Sequence, residues 1–377
     1  MINKLHHGDC LEVMPTLDAD SVDAIISDPP YGLSFMGKAW DHGVPGEVFW
    51  REALRVAKPG AHLLAFGGTR TFHRLTVAIE DAGWEIRDCV MWVYGSGFPK
   101  SHNGEWGGTA LKPAYEPIIV ARKPLIGTVA ANVLAHGTGG LNIDECRVGS
   151  TVETWPKTRS YAAGQMQPGH SGDTQSTGAV PGGRWPANLI HDGSDEVTAG
   201  FPDAGGGFGV RGKGGQTYAN GKGFANTLAV TGQEVGYGDT GSAARFFYCA
   251  KASKADRDEG CEGMPQTIQQ SVAHGDKQYG TLPYTNEPRE MNPRPRSNNH
   301  PTVKPTALMR YLCKLVTPLN GIILDPFMGS GSTGKAATLE RFNFIGIDLS
   351  AEYVAIAQAR IDAATKQIAE QLQYGSS

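Results

Sequence analysis

The sequence has few of the features that mark secreted, membrane or zinc-binding proteins. Its six cysteines are scattered over 377 residues and form no Cys-x-x-Cys pair, which argues against a zinc ribbon or finger. No apolar run approaches membrane-spanning length, and residues 1–7 lack the apolar core of a signal peptide. The formal net charge of −4 is not that of a protein that coats nucleic acid, so a DNA-binding face would have to be local. We expect a soluble, cytoplasmic protein with no membrane partner.

Apolar runs of strand and helix character alternate along the first 125 residues, and 40 % of the chain is hydrophobic, enough for a sizeable core. The patterns predict a short helix around 11–17 and helices at 48–56 and 72–82, the second stopped by Lys58-Pro59-Gly60. Strands are predicted at 24–26, 61–66, 84–93 and 116–121. This alternation favours an α/β protein with a largely parallel sheet covered on both faces.

The stretch Asp28-Pro29-Pro30-Tyr31 directly follows the predicted strand at 24–26. The carboxyl edge of an open α/β sheet is where ligands bind. Prolines offer carbonyl oxygens but no N–H donor, Asp28 adds a carboxylate and Tyr31 an aromatic face. Such a pocket, rich in acceptors and poor in donors, suits the amino group of a nucleobase, which Tyr31 could hold by stacking for roughly 1–3 kcal/mol. A plain Pro-Pro turn with a capping Asp is the alternative.

Residues from about 126 to 245 change character, with weak periodicity and frequent Gly, Ser, Thr and Pro. Stretches of this length without regular structure are functional or disordered. The segment is therefore either an insertion between two halves of a core or a disordered spacer. Strand-like sequence returns at 245–250. Arg289, Arg294 and Arg296 form either a phosphate-binding patch or a solvated loop.

Order returns after residue 300, with a predicted helix around 307–315, strands at 321–325 and 344–348, helices from 335 and over 351–369, and a frayed tail at 373–377. The Gly-rich turn between the strands fits a dinucleotide fingerprint ending at Asp348. Only 46 residues follow Gly331, however, which is too few for the second half of a dinucleotide-binding domain. A P-loop would need Ser or Thr where Ala336 stands. Asp325 and Phe327 suit a third ligand, S-adenosylmethionine, which has an amino-acid tail and no phosphates.

Two motifs in this order, Asp28-Pro29-Pro30-Tyr31 and residues 325–333 (DPFMGSGST), resemble the signature motifs of amino DNA methyltransferases, which methylate adenine at N6 or cytosine at N4. The catalytic motif precedes the cofactor motif by 297 residues, as in the β arrangement of that family. Residues 300–305 (HPTVKP) resemble the family's lead-in to the cofactor site. The resemblance covers about 1–125 and 300–365.

The resemblance implies a Rossmann-like methyltransferase fold with a mixed, mostly parallel sheet and circularly permuted motif order. Residues 1–125 would be the catalytic half, 126–299 a Gly-rich target-recognition insertion, and 300–377 the cofactor-binding half with a C-terminal helix. The implied catalytic residues are Asp28, Pro29, Pro30 and Tyr31. The implied S-adenosylmethionine-binding residues are Asp9, Cys10, Thr302, Lys304, Asp325, Pro326, Phe327, Gly329, Ser330, Gly331, Ser332, Thr333 and Asp348. No metal site is implied.

Among the cofactor-binding residues, the resemblance assigns particular contacts to four. Asp348 would bind the ribose, Asp9 the adenine, and Thr302 or Lys304 the methionine carboxylate. Asp9 could equally be a helix N-cap.

The implied reaction is methylation of adenine N6 in double-stranded DNA, by base flipping and direct in-line transfer. Asp rather than Ser at position 28 favours N6 over cytosine N4, which stays the alternative. Methylation at cytosine C5 would use a Pro-Cys pair, and the chain contains none. A non-catalytic nucleic-acid-binding module that kept the fold, and methylation of a glutamine or RNA amine, are further alternatives.

The predicted partners are duplex DNA, a cognate restriction endonuclease and a second copy in a homodimer. Basic residues of the insertion that could contact the DNA groove are Arg147, Arg184, Lys213 and Arg245.

Overall fold

The central feature of the computed structural model is one large β-sheet. The structure describes residues 2–33, 41–97, 104–149, 183–204, 208–210, 234–236, 241–251, 253, 256–268, 279–281, 288–290 and 295–374. Within these residues the sheet has nine strands: β1 (Asn3–His7), β2 (Val22–Ser27), β3 (Ala57–Phe66), β4 (Glu85–Val93), β5 (Tyr115–Arg122), β6 (Leu189–His191), β7 (Tyr248–Cys249), β8 (Ile322–Asp325) and β9 (Asn343–Asp348).

The strand order is β1-β9-β8-β2-β3-β5-β4-β6-β7. Every neighbouring pair is parallel except those that involve β5, which runs antiparallel to both β3 and β4. The predicted α/β class with a mixed, mostly parallel sheet is confirmed. Because β5 alone among the described strands of this sheet is reversed, its first residues lie at the edge where the parallel strands end.

Helices cover both faces of the sheet. They are α1 (Cys10–Val13), α2 (Glu47–Val56), α3 (Phe72–Asp81), α4 (Val129–His136), α5 (Asp195–Thr198), α6 (Thr306–Val316), α7 (Ser332–Leu339) and α8 (Ala351–Tyr374). Alternate residues of β2 enter opposite cores: Ile25 packs with side chains of α2 and α3, and Ile26 with side chains of α6, α7 and α8. This period-2 alternation builds two apolar layers from one buried strand. No helix within the described parts of the chain has the length and apolarity needed to cross a bilayer.

Strands β2 and β8 lie side by side although they are far apart in the chain. Ala24 pairs with Ile323 and Ile25 with Leu324 in parallel register. The turns that follow the two strands are the two predicted motifs, so the sheet brings together segments 297 residues apart. The two motifs are therefore neighbours in space, with the later one in the chain following the strand next to β2.

Several predicted boundaries were wrong. Helix α2 ends at Val56 as predicted, but Lys58-Pro59-Gly60 lies inside β3, which starts at Ala57 and not at residue 61; Gly60 takes a φ of +79° there. Residues 243–246 form a 3-10 turn because the Ser242 hydroxyl caps the N–H of Ala244, leaving only β7 as strand. Helix α7 starts at Ser332, directly after the left-handed Gly331, and α8 extends to Tyr374.

The predicted insertion, 126–299, contributes to the sheet as well as to smaller elements. Strands β6 and β7 extend the sheet beyond β4. Two-stranded ribbons pair Asp203–Ala204 with Gly241–Ser242, Phe208–Val210 with Glu234–Gly236, Thr267–Ile268 with Pro295–Arg296, and Tyr279–Thr281 with Pro288–Glu290. A 3-10 turn also lies in the insertion at Asp144–Cys146, and another lies outside it at Met14–Thr16. Lys213 and Arg294 lie outside the described residues.

Candidate active site

A cavity of about 1580 Å³ opens at the carboxyl edge of the parallel strands. It exceeds the 300–1,000 Å³ typical of a pocket for one small ligand, so it has room for a cofactor together with a substrate group. Of the predicted site residues, all but one line it: Asp9, Cys10, Asp28, Pro29, Pro30, Tyr31, Thr302, Lys304, Asp325, Pro326, Phe327, Gly329, Ser330, Ser332, Thr333 and Asp348. The structure thus brings the residues of both motifs to one place.

Gly331 is the exception, because it faces α8 and does not line the cavity. Its φ is +74°, and a Cβ built there would lie 2.7 Å from the Cβ of Ala357. Glycine is needed at this position because the backbone is left-handed and packs closely against a helix. Its part in the site is to shape the turn that carries Ser330 and Ser332.

The catalytic motif is held in a compact polar cluster. Asp28 Oδ1 accepts a hydrogen bond from the Tyr31 hydroxyl at 2.7 Å, and Asp28 Oδ2 lies 2.9 Å from Lys304 Nζ. Glu116 Oε2 lies 2.9 Å from the same Nζ and 3.0 Å from the Tyr31 hydroxyl. Lys304 Nζ also donates to that hydroxyl at 3.1 Å. One lysine therefore has an acceptor for each of its three N–H groups.

Electrostatics keep the Lys304 ammonium charged in this cluster. Burial by itself lowers the pKa of the Lys304 ammonium, but the charges and hydrogen bonds of Asp28 and Glu116 together outweigh burial and raise that pKa. Burial, with the same two carboxylates, raises the pKa of the Tyr31 hydroxyl well above its usual range. Lys304 therefore stays a cation and Tyr31 a neutral hydroxyl at neutral pH. The structure places Lys304 against the catalytic motif.

Asp325 joins the two motifs. Its carboxylate accepts hydrogen bonds from the Ser27 hydroxyl at 2.6 Å, the Thr333 hydroxyl at 2.7 Å and the Phe327 N–H at 3.1 Å. Burial raises the pKa of this carboxyl to about 7, although these hydrogen bonds favour the charged form. The end of β2 and the Gly-rich turn are thereby tied to one side chain.

Asp348, at the end of β9, organises the other wall. Its carboxylate accepts from the N–H of Gly329 at 2.9 Å and of Ser350 at 2.8 Å. Gly329 has a φ of +51°, and a Cβ there would lie 2.7 Å from the His300 ring. Burial lowers the pKa of His300 to about 4, so that ring is neutral at pH 7. A side chain at position 329 would therefore collide with the His300 ring at the edge of the cavity.

Asp9 and Cys10 border the cavity at the start of α1. Asp9 is the N-cap of this helix, accepting from the Leu11 N–H at 2.8 Å, so the capping role predicted as an alternative is confirmed. Burial raises the pKa of the Cys10 thiol to about 12. Cys10 is therefore a neutral part of the wall at physiological pH.

Sequence reasoning missed Glu116, Asp41 and Arg360. The sequence identifies Glu116 only as the start of a predicted strand, because its place in the site depends on the reversed direction of β5. Asp41 is buried and accepts from the N–H of Gly32 at 2.7 Å and of Leu33 at 3.2 Å, which fixes the turn after Tyr31. An Asp ten residues after Tyr31 carries no signal in the sequence that would assign it to the site.

Arg360 holds the Gly-rich turn from behind. It is fully buried on α8 and donates to the Ser330 carbonyl at 2.6 Å and to the Asp256 carbonyl at 2.8 Å. Its guanidinium also lies 3.2 and 3.3 Å from the hydroxyls of Ser330 and Ser332. The Arg360 side chain thus connects the Gly-rich turn and Asp256 to α8.

Comparison with known proteins identifies the family. A family model for N6/N4 methyltransferases, described as DNA methylase, matches residues 22–359. This chain belongs to that DNA methylase family. The match runs through both motifs and everything between them, and the family resemblance expected from the sequence is confirmed.

Individual relatives of this DNA methylase match over shorter stretches. The DNA adenine methyltransferase YhdJ of Escherichia coli K12 is 40 % identical over 74 residues, covering 20 % of this chain and 25 % of that protein. The type II methyltransferase M.HindIII of Haemophilus influenzae is 24 % identical over 204 residues, covering 38 % of this chain and 65 % of that protein. The chain therefore spans a quarter and just under two thirds of these relatives.

Among solved structures, the cytosine-N4-specific PvuII DNA methyltransferase superposes with a TM-score of 0.47 at 12 % identity, covering 98 % of this chain and 93 % of that one.

Proposed function

We propose that this DNA methylase transfers a methyl group from S-adenosylmethionine to the N6 amino group of adenine in duplex DNA. The observation that carries the proposal is the meeting of two segments at one cavity. The cavity is lined by Asp28, Pro29 and Pro30, which supply acceptors, and by the turn between Asp325 and Thr333.

The residues around the Gly-rich turn fit S-adenosylmethionine. The Asp348 carboxylate can accept from ribose hydroxyls while it keeps Gly329 N–H, and Phe327 offers an apolar face beside Phe49, whose ring centroid is 5.8 Å away. Asp9, Thr302 and Ser332 add polar groups for the adenine and the amino-acid tail. When bound, this cofactor supplies an electrophilic methyl group for direct transfer.

The residues of the catalytic motif would bind and polarise the target amine. Two amine hydrogens need two acceptors, which the Asp28 carboxylate and a carbonyl of Pro29 or Pro30 provide. Accepting both hydrogens returns electron density to a nitrogen that ring conjugation makes a poor nucleophile. The base must leave the duplex to enter the cavity, at a cost of a few kcal/mol that stacking on Tyr31 offsets.

Two observations support adenine over cytosine. The motif has Asp at position 28, as expected for the N6 branch. The stretch that is 40 % identical to YhdJ matches a protein described as an adenine methyltransferase. Cytosine N4 is the second candidate, because its amine also presents two hydrogens and the family model spans both chemistries.

A cluster of arginines and aromatic rings offers a surface for the duplex. The guanidinium carbons of Arg184 and Arg245 lie 4.5 and 4.4 Å from the Phe246 ring centroid, and that of Arg147 lies 5.6 Å from the centroid of Trp185. Trp185 is 58 % exposed. Phe246 is partly buried, and cations beside rings at the surface suit phosphates and bases. We propose that residues 126–299 recognise the target, with 1–125 and 300–377 as the catalytic and cofactor halves.

The first test replaces Asp28 by Ala and measures transfer of labelled methyl from S-adenosylmethionine to mixed-sequence duplex DNA. We expect wild-type protein to label the DNA and the variant to lose at least about a hundredfold in rate, because the amine loses its anionic acceptor. Calorimetry should show cofactor affinity within a few-fold of wild type. Unchanged turnover would contradict the role of Asp28.

The cognate endonuclease, the homodimer and the cytoplasmic location remain predictions from the sequence.

A further inference from the structure

The Tyr31 hydroxyl faces two carboxylates with a single proton to donate. Asp28 Oδ1 is 2.7 Å away and Glu116 Oε2 is 3.0 Å away, while Lys304 Nζ donates to the hydroxyl from 3.1 Å. A phenolic hydroxyl has one donor hydrogen and accepts through its lone pairs. It can therefore donate to Asp28 or to Glu116, and the shorter distance shows Asp28 as the acceptor in this arrangement.

Both oxygens of Asp28 are engaged in this arrangement, since Oδ2 lies against Lys304 at 2.9 Å. A carboxylate oxygen can accept two hydrogen bonds, so the target amine can reach Asp28 Oδ1 without displacing a donor, but it shares that oxygen with Tyr31 unless one of the present donors turns away. Lys304 is only 7 % exposed and has three acceptors, so moving it would unpair a buried charge at high cost. The Tyr31 hydroxyl can turn its hydrogen from Asp28 to Glu116 by rotation about the Cζ–O bond alone, because Glu116 Oε2 is already within hydrogen-bond distance.

We propose that Glu116 is a positioning residue that accepts the hydrogen bond of the Tyr31 hydroxyl when the target amine binds Asp28 Oδ1. Glu116 Oε2 then receives two donors, Lys304 and Tyr31, and Asp28 keeps Lys304 on its other oxygen. Glu116 itself does not touch the base. The inference rests on the proposed function, because it needs Asp28 to accept an amine hydrogen.

Without Glu116, the hydroxyl must either stay on Asp28 and compete with the amine, or lose its acceptor in a buried site. An orphaned buried donor has a penalty equivalent to roughly five- to a hundredfold in rate. Replacing Tyr31 by Phe removes the proton that has to be relocated. The effect of Glu116 should therefore depend on the presence of the Tyr31 hydroxyl.

The test is a double-mutant cycle on single-turnover methyl transfer to duplex DNA, with Y31F, E116A and the double variant. We expect E116A to lower the rate at least about fivefold more in the wild-type background than in the Y31F background, where it removes only an acceptor of Lys304. Cofactor affinity, measured by calorimetry, should change less than twofold. E116Q should recover most of the rate, because its carbonyl oxygen still accepts both hydrogens.

E85A is the matched control, because Glu85 pairs with Arg122 at 2.7 Å on the same sheet but outside the cavity. Its rate should equal that of wild type. Equal losses from E116A in both backgrounds, or an E116Q as slow as E116A, would overturn the inference while the proposed function stands. An inactive wild type would overturn the proposed function, and the inference with it.

Discussion

The Asp325 carboxyl makes a pH-dependent contribution to stability. Its pKa in the folded protein is about 7, against about 3.9 in an unfolded chain. The folded state therefore binds a proton that the unfolded state has lost, so stability falls as pH rises from about 4 to about 7. The full difference is on the order of 4 kcal/mol, and it is complete above pH 7.

Replacing Asp325 by Asn isolates this contribution. The amide cannot ionise, so the free energy of unfolding of D325N relative to wild type should rise by about 3 kcal/mol between pH 5 and pH 8. Urea unfolding of both proteins at the two pH values gives this difference and cancels other titrating groups. A difference that does not change with pH would show that Asp325 is ionised throughout.

Gly331 gives a second prediction for a single residue. The family resemblance places Gly331 among the cofactor-binding residues, where an Asp side chain would fill the pocket. The structure instead directs the new side chain at Ala357 on α8, from a backbone with φ +74°. We expect loss of cofactor affinity together with at least about 2 kcal/mol of stability, seen by denaturant unfolding without cofactor. A variant of wild-type stability would restore the pocket-filling explanation.

Helix α8 supports the site through Arg360. Arg360→Met keeps the buried aliphatic stem but leaves the carbonyls of Ser330 and Asp256 without their donor. We expect a loss of about 2–4 kcal/mol in the free energy of unfolding and weaker cofactor binding. Lys366→Met on the same helix is the control, because Lys366 is 79 % exposed and should change stability by less than about 0.5 kcal/mol. Equal stability of the two variants would remove the supporting role of Arg360.

At the scale of elements, local patterns predicted most helices and strands because apolar periodicity is a short-range property. Direction within the sheet is not local. The pattern of β5 looks the same whether the strand runs parallel or antiparallel, yet only the antiparallel direction brings Glu116 to Lys304. For the same reason, the partners of Arg360 could not be read from the spacing of α8.

At the scale of the whole molecule, the cluster around Phe246 should bind duplex DNA electrostatically. Arg184→Ala should weaken binding and reduce the slope of log K against log salt by about 1, as measured by fluorescence anisotropy over a salt series. Arg51→Ala is the control, because Arg51 lies on α2 and is exposed beside Glu47. An unchanged slope for Arg184→Ala would place the DNA elsewhere.

The meeting of residues 28–31 with 325–333 could be predicted from the sequence only through family resemblance. Physical reasoning recognised each motif as the end of a strand, but the adjacency of β2 and β8 depends on pairing across nearly 300 residues. The structure of residues 126–299 was the least predictable part of the fold, because weak periodicity does not reveal that Ile190 and Tyr248 extend the central sheet.

The central claim is methylation of adenine N6, and nucleoside mass spectrometry tests it most directly. Purified protein is incubated with mixed-sequence duplex DNA and methyl-labelled S-adenosylmethionine, the DNA is digested to nucleosides, and the labelled species is identified. The account predicts label in N6-methyladenine and none with the Asp28→Ala protein. Label in N4-methylcytosine would contradict the assignment of the base, and unlabelled DNA with cofactor still bound would contradict DNA methylation itself.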